Sequence, residues 1–341
     1  MHELRKDPLL NRWVAVLKDS KPVEYYLENT HALPDKDEAA PGKCLLCPGN
    51  ELEASPEIFA IRKEGCSPNS PWETRVIPRI NPIFQIEGEL GRRGVGMYDK
   101  MNSIGANEII IESPSHNTPP EELGLSQMVS VVKTYRHRIS ELEKDSRLRY
   151  TFLYKDYGRG SDSFFSHPVS QLVATPVIPA SIKEELSGAK AYYYYKERCI
   201  FCDMLNDELR SGERVIMETA NFVAFTTFAP RFSFEFRIVP KRHCCAFQDI
   251  RDDEIEDFGL VLMSTINKLK SLFRVPSYTY MLHTAPNRIP RKDHWHTLGD
   301  DFHWHVEVTP QLAVKNDFEL GPEFYIITTS PEDAARYLSG A

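Results

Sequence analysis

Apolar residues recur three or four positions apart at Leu125, Met128, Val132, Tyr135, Ile139 and Leu142. That spacing gives one apolar stripe and predicts a helix from about Pro120 to Asp145 with one buried face. Ile255, Phe258, Leu262, Ile266, Leu269 and Phe273 repeat the pattern and predict a second helix from about Asp252 to Phe273. Short apolar runs read as strands: Arg75–Pro78, Glu108–Glu112, Tyr150–Tyr154, Phe222–Phe225, Glu235–Val239, Tyr278–Leu282 and Phe302–Val308. In the last of these His303, His305 and Glu307 alternate with apolar residues, which puts all three on one face at the strand period of two.

The order of these elements repeats. Cys44-x-x-Cys47 leads through two strands to His116, then a long helix, a strand, a loop and His167. Cys199-x-x-Cys202 leads through two strands to His243, then a long helix, a strand, a loop and His303. One unit used twice predicts an α+β protein of two similar lobes, each an antiparallel sheet packed with helices. The lobes are expected at 1–185 and 186–341, with the boundary near Pro179 to Tyr195. Asp35 to Pro41 and Arg288 to Asp301 read as loops from their proline, glycine and charge content.

At 341 residues the chain is long enough for two full cores. Hydrophobic residues make up 41% and charged residues 26%, the composition of an ordinary globular protein. The net charge is −8 and no basic run stands out, which argues against nucleic acid as a partner. No apolar stretch approaches the ~20 residues that span a bilayer. The first residues lack the apolar core of a signal peptide, so a cytoplasmic location with no membrane partner is expected.

In that compartment the seven cysteines are not expected to form disulfides. The two Cys-x-x-Cys pairs read as metal ligands, with a redox pair as the rival. Neither pair is expected to open a helix after a strand, as a thioredoxin-like pair would. Cys66, Cys244 and Cys245 are assigned no role. Zinc takes four soft or borderline donors in a tetrahedron, and a Cys-x-x-Cys turn supplies two. The candidates are Cys44, Cys47, His116 and His167 in the first copy, and Cys199, Cys202, His243 and His303 in the second. His294 and His296 lie close enough in sequence to compete for the second set but read as loop residues. Both sites are expected to be closed and structural.

Three stretches carry a resemblance: Cys44-Leu-Leu-Cys47-Pro-Gly-Asn-Glu51, Glu112-Ser-Pro-Ser-His116 and Ser166-His167-Pro-Val169-Ser-Gln171. Together they resemble the galactose-1-phosphate uridylyltransferase family, the two-domain branch of the histidine-triad superfamily. The resemblance supports the first zinc set. It also implies that the middle histidine of the triad, the family's nucleophile, is replaced here by Val169. An isopropyl group has no lone pair with which to attack phosphorus. Gln171 stands where the family's glutamine meets the phosphoryl oxygens. Nucleotide contacts are implied at Leu46, Arg79, Asp156 and Gln171.

Several positions depart from the family. Asp162-Ser163-Phe164 stands where the family's phosphate loop has Gly-Ala-Ser, and Arg79 stands where it has Asn. The segment from Asp317 to Ile327 lacks a glycine and the asparagine of the sugar-phosphate loop. In the second copy His305 falls at the nucleophile's place, with Glu307 for the third histidine, which makes His305 a candidate catalytic residue beside Gln171. Expected function is therefore nucleotidyl transfer or phosphorolysis on a nucleotide or related phosphoanhydride, by an altered mechanism. The alternative is a catalytically inactive homologue that binds a nucleotide or phosphate ligand. Family members are commonly homodimers with shared active sites, so a homodimer and a small-molecule nucleotide or sugar-phosphate ligand are expected.

Overall fold

A computed structural model describes residues 2–17, 21–29, 44–63, 70–116, 118–158, 167–273, 277–290, 295–312 and 324–340. In chain order its elements begin with β1 (Glu3–Lys6), β2 (Trp13–Val16), α1 (Val23–Asn29), β3 (Phe59–Arg62) and β4 (Trp72–Pro78). An exposed hairpin, β5 (Arg93–Val95) and β6 (Tyr98–Lys100), precedes β7 (Ala106–Ile111), α2 (Leu125–Glu143), β8 (Tyr150–Tyr157) and β9 (Val169–Thr175). Then come α3 (Ala180–Lys196), α4 (Ile200–Ser211), β10 (Val215–Glu218), β11 (Phe222–Thr226) and β12 (Phe236–Pro240). The remainder is α5 (Asp252–Phe273), β13 (Tyr278–His283), α6 (Leu298–Asp301), β14 (His305–Pro310), β15 (Tyr325–Ile327) and α7 (Pro331–Gly340).

The principal sheet has ten strands in the order β10-β11-β12-β14-β13-β8-β9-β7-β4-β3, and its neighbours run antiparallel. Each half of the chain supplies five strands. The halves join where β13 pairs with β8, from Tyr278 opposite Tyr157 to Leu282 opposite Leu153. One hydrogen-bonded sheet therefore runs through both halves. A smaller sheet, β1-β2-β15, ties the N-terminal strands to the C-terminal region.

Side chains alternate across a strand, so the register sorts them by face. On one face α2 and α5 pack on each other and on the sheet. Their predicted stripes, with Val132, Ile139, Phe258, Leu262 and Leu269, close over Leu172, Ile238 and Leu282 in the main core. α5 opens on Asp252, Asp253 and Glu254 and carries Lys270 in its last turn, charges that oppose the helix dipole at both ends.

The same buried face holds a polar cluster. Lys155 Nζ donates to Glu112 Oε2 at 2.5 Å and to the Val169 carbonyl at 3.2 Å. Ser170 Oγ donates to Glu112, and Tyr135, Tyr280 and Ser170 share hydrogen bonds at 2.6 to 3.3 Å. Burial would raise the Glu112 carboxyl, but the Lys155 ammonium beside it holds it below the usual range. The cluster fixes β9 from behind, and through Tyr280 it fastens the first half to the second.

The opposite face carries Gln171, Tyr154, Met281, Glu307 and Arg237 in register from β9 through β8, β13 and β14 to β12. α3 covers part of this face. Its stripe of Ile182, Leu186 and Ala189 packs with Tyr150, Phe201 and Phe302. Gly188 is required there, since a Cβ would lie 2.1 Å from the Leu9 carbonyl oxygen. The expected boundary, Pro179 to Tyr195, is thus mostly this packed helix, and a break after 185 falls within it.

Cys199 is the N-cap of α4, a helix that follows α3, so the second Cys-x-x-Cys pair does not open a helix after a strand, as expected. The segment expected to be a loop, Arg288 to Asp301, ends in the helical turn α6, where the last turn's amides find Thr297 and Leu298 carbonyls. Asp35 to Pro41, Cys66, Asp162 to Phe165, His294 and 317–323 lie outside the described residues.

Candidate functional site

Both sets of predicted metal-binding residues come together. The ligand atoms of Cys44, Cys47, His116 and His167 all lie within 4.8 Å of one another, as do those of Cys199, Cys202, His243 and His303. Cys47 Sγ is 3.3 Å from His116 Nδ1 and 3.6 Å from His167 Nδ1. Cys202 Sγ is 3.3 Å from His243 Nδ1 and 3.6 Å from His303 Nδ1. The two clusters have matching geometry, as a duplicated unit requires.

Their hydrogen bonding fixes which nitrogen is available. His167 Nε2 donates to the Ser113 carbonyl at 2.8 Å, and His243 Nε2 donates to the Gly299 carbonyl at 2.9 Å. Each ring therefore turns its Nδ1 toward the thiols, the orientation a metal ligand needs. Burial pushes His167 down to about 4, so its ring is neutral near pH 7. In the second set the Nε2 of His303 is buried with no hydrogen-bond partner among the described residues. The four donors in each set suit a metal ion and are the N/S combination that zinc favours.

The strand that follows each anchoring histidine differs between the halves. In the first, Val169 joins a buried apolar cluster with Leu46, Ile77, Ile109 and Ile111. Two residues on, the buried amide of Gln171 accepts from Arg79 Nη1 at 3.2 Å. Asp156 Oδ1 accepts from Thr279 Oγ1 of the other half at 2.7 Å, and Thr279 accepts from Gln311 at 3.0 Å. Arg79 and Gln171 thus meet, and Asp156 stands apart from them on the neighbouring strand. Leu46 is buried in the apolar cluster beside Val169.

In the second half His305 keeps the imidazole. Its Nδ1 donates to the His303 carbonyl at 3.1 Å, and its ring packs on Phe201 and stacks on His283. Nε2 lies 3.1 Å from Glu185 Oε1 but out of line for a hydrogen bond. The ring is completely buried.

Sequence reasoning missed the partners of His305. Glu185, His283 and His305 form a third cluster of possible metal-ligating atoms within 4.8 Å. Glu185 Oε2 is 2.8 Å from His283 Nδ1, and His283 stands opposite His305 in the strand register. Burial would raise the Glu185 carboxyl, but His283 and His305 hold it below the usual range. Burial would depress His283, but Glu185 and Glu307 outweigh it and hold the ring above its ordinary value. Two signals were present in the sequence. A lone glutamate interrupts the apolar stripe of α3, and His283 closes a strand that pairs with the one carrying His305.

The fold and the paired Cys/His clusters define an α+β protein of two duplicated halves, each with four residues that could hold a metal ion. No protein-family model matches the chain. An ADP-glucose phosphorylase of Arabidopsis thaliana is 29% identical over 340 residues, covering 98% of this chain and 92% of that protein. A galactose-1-phosphate uridylyltransferase of Thermotoga maritima is 28% identical over 347 residues, covering 99% and 98%. The solved structure of an ADP-glucose phosphorylase from Arabidopsis thaliana with bound ADP-glucose superposes with a TM-score of 0.82 at 28% identity, over 100% of this chain and 99% of that one. Over nearly its whole length the chain is similar to proteins named ADP-glucose phosphorylase and galactose-1-phosphate uridylyltransferase.

Proposed function

We propose that the first half binds a nucleotide sugar or related phosphoanhydride and transfers its nucleotidyl group directly to an acceptor, as a nucleotidyltransferase or phosphorylase. An acceptor oxygen bonds to the α-phosphorus, the bond from that phosphorus to the bridging oxygen breaks, and the sugar phosphate leaves with the electron pair. With inorganic phosphate as acceptor the products are a nucleoside diphosphate and a sugar 1-phosphate. Val169 offers no nucleophile for a covalent intermediate, so transfer takes one step where the family route takes two. The reading rests on the Arg79–Gln171 pair, a cation and an amide meeting at 3.2 Å two residues past Val169. These are groups suited to phosphoryl oxygens. Leu46 and Asp156 are assigned to the same nucleotide.

A second reading has its own support. Val169 is packed within an apolar cluster, which suits a homologue that binds a nucleotide or phosphate ligand without turnover. In both readings each Cys₂His₂ set holds a structural zinc, which pins the start of β9 or β14 and takes no part in the transfer. We assign 1–185 and 186–341 to the two copies of the duplicated unit, and a cytoplasmic homodimer to the assembled protein.

The test is product formation from ADP-glucose with inorganic phosphate, and from UDP-glucose with galactose 1-phosphate. The first reading expects one pair to yield nucleotide product and Gln171→Ala to abolish it with no change in melting temperature. Saturable binding without product supports the second reading. Neither binding nor product overturns both.

A further inference from the structure

A cavity of about 780 Å³ opens on the second-half strands of the principal sheet, and the first-half reading does not use it. Its floor is the open face of β12, β13 and β14, contributing Arg237, Thr279, His283, Glu307 and Thr309. The walls come from the start of α3, from α1 through Tyr25 and Tyr26, and from Arg12, Phe232 and Tyr325. The volume is within the range of small-molecule sites and suits a ligand of one or two rings.

The charges around it are matched. Glu307 accepts from Arg237 Nη2 at 2.6 Å and from Arg231 Nη2 at 2.7 Å, and Arg231 also pairs with Glu235 at 2.6 Å. Arg12 is 3.5 Å from Asp7, and Glu185 faces His283. Every guanidinium on the lining has a carboxylate partner. A phosphate dianion would have to displace one of these carboxylates and leave it buried and unpaired, which is costly. Such a floor still offers strong donors and acceptors to neutral groups, because a hydroxyl can donate to a carboxylate and accept from a guanidinium at once. Phe232 and Tyr325 meet edge to face at 6.0 Å and supply apolar ring surface.

We propose that this cavity is a binding site for an uncharged, polyhydroxylated molecule of one or two sugar rings. Hydroxyls would meet the paired Glu307, Arg231 and Arg237 and the two threonines, and the C–H face of a ring would lie against Phe232. The proposal is independent of the reading of the first half, and the tests separate them.

Saturation-transfer NMR and calorimetry on the full protein would use maltose and glucose as probes, with inorganic phosphate as the charged comparison. Saturable sugar binding is expected. Phe232→Ala should weaken it about tenfold, the loss of one aromatic contact, and Thr309→Phe should abolish it by filling the space. Both variants should keep the wild-type melting temperature, and Gln171→Ala should leave sugar binding unchanged. No saturable binding of either sugar would overturn the proposal. So would sugar binding that survives Thr309→Phe, or that is lost in Gln171→Ala. Phosphate binding that Thr309→Phe abolishes would overturn it as well.

Discussion

His167-Pro-Val169-Ser-Gln171 and His303-Trp-His305-Val-Glu307 occupy the same step of their strands, and they have diverged in opposite directions. The first half keeps a polar amide on the open face and has an apolar side chain two residues earlier, packed among isoleucines. The second half keeps the imidazole but seals it beneath α3, against Glu185, His283 and Phe201. Glu307, where the first half has Gln171, is paired with two arginines. The anchoring histidine, by contrast, is equivalent in both halves. The four-residue Cys/His arrangement persists in both halves. The residue two positions on is free to change, because only chemistry would hold it.

Removing a metal ligand should have the largest effect. Structural zinc sites contribute on the order of 10 kcal/mol to folding. Cys44→Ser and Cys199→Ser should each lose one metal per chain, read by elemental analysis, and lower the urea midpoint sharply. Cys199→Ser should cost more, because Cys199 sits in a larger buried cluster with Ile200, Phe201 and Phe302. Equal losses, or a greater loss for Cys44→Ser, would break the asymmetry.

Next is the ion pair behind β9. Lys155→Met leaves Glu112 buried and unpaired and should destabilise by about 3–5 kcal/mol. Adding Glu112→Gln should recover part of that loss in denaturant titration. His305→Gln removes a buried ring stacked on His283 and should cost roughly 1–3 kcal/mol, while ADP-glucose binding in the first half stays unchanged. Loss of that binding would show that the sealed imidazole serves the site after all.

The smallest expected effect is a difference in pH response. His167 is depressed in the fold to about 4, so its contribution is present above about 6.5 and lost as pH falls toward 4. His283 is raised, so its contribution is present below about 6.5 and lost as pH rises through its folded value. Glu185 and Glu307 are lowered, so theirs is lost only as pH falls below about 4.4. Hydrogen exchange should therefore show the first half loosening as pH falls from 6.5 toward 4 and the second loosening as pH rises above 6.5. Identical profiles would contradict the assignment.

Much of this arrangement was legible in the sequence. The helix stripes match the range of α5, and the eight residues of the two Cys/His clusters are picked out by spacing and order. β4, β7, β8, β11, β12 and β13 fell where apolar runs were read. What was missed depended on contacts between distant segments. Whether two five-stranded halves remain separate or fuse depends on edge pairing, and nothing in Tyr278–His283 alone announces β8 as its neighbour. β1, β2 and β15 are three or four residues long, too short for a period to register. α3 was hidden because its run of four tyrosines, Tyr192 to Tyr195, breaks the stripe. The cluster of Glu185, His283 and His305 joins three segments that no local motif connects.

The central claim is that the first half handles a nucleotide with no covalent histidine intermediate. Its most direct test is the intact mass of the protein, quenched in alkaline denaturant after brief exposure to saturating ADP-glucose and, in parallel, UDP-glucose. The account predicts an unchanged mass, with His305 and every other histidine unmodified on peptide mapping. A nucleotidyl adduct on any histidine would contradict it.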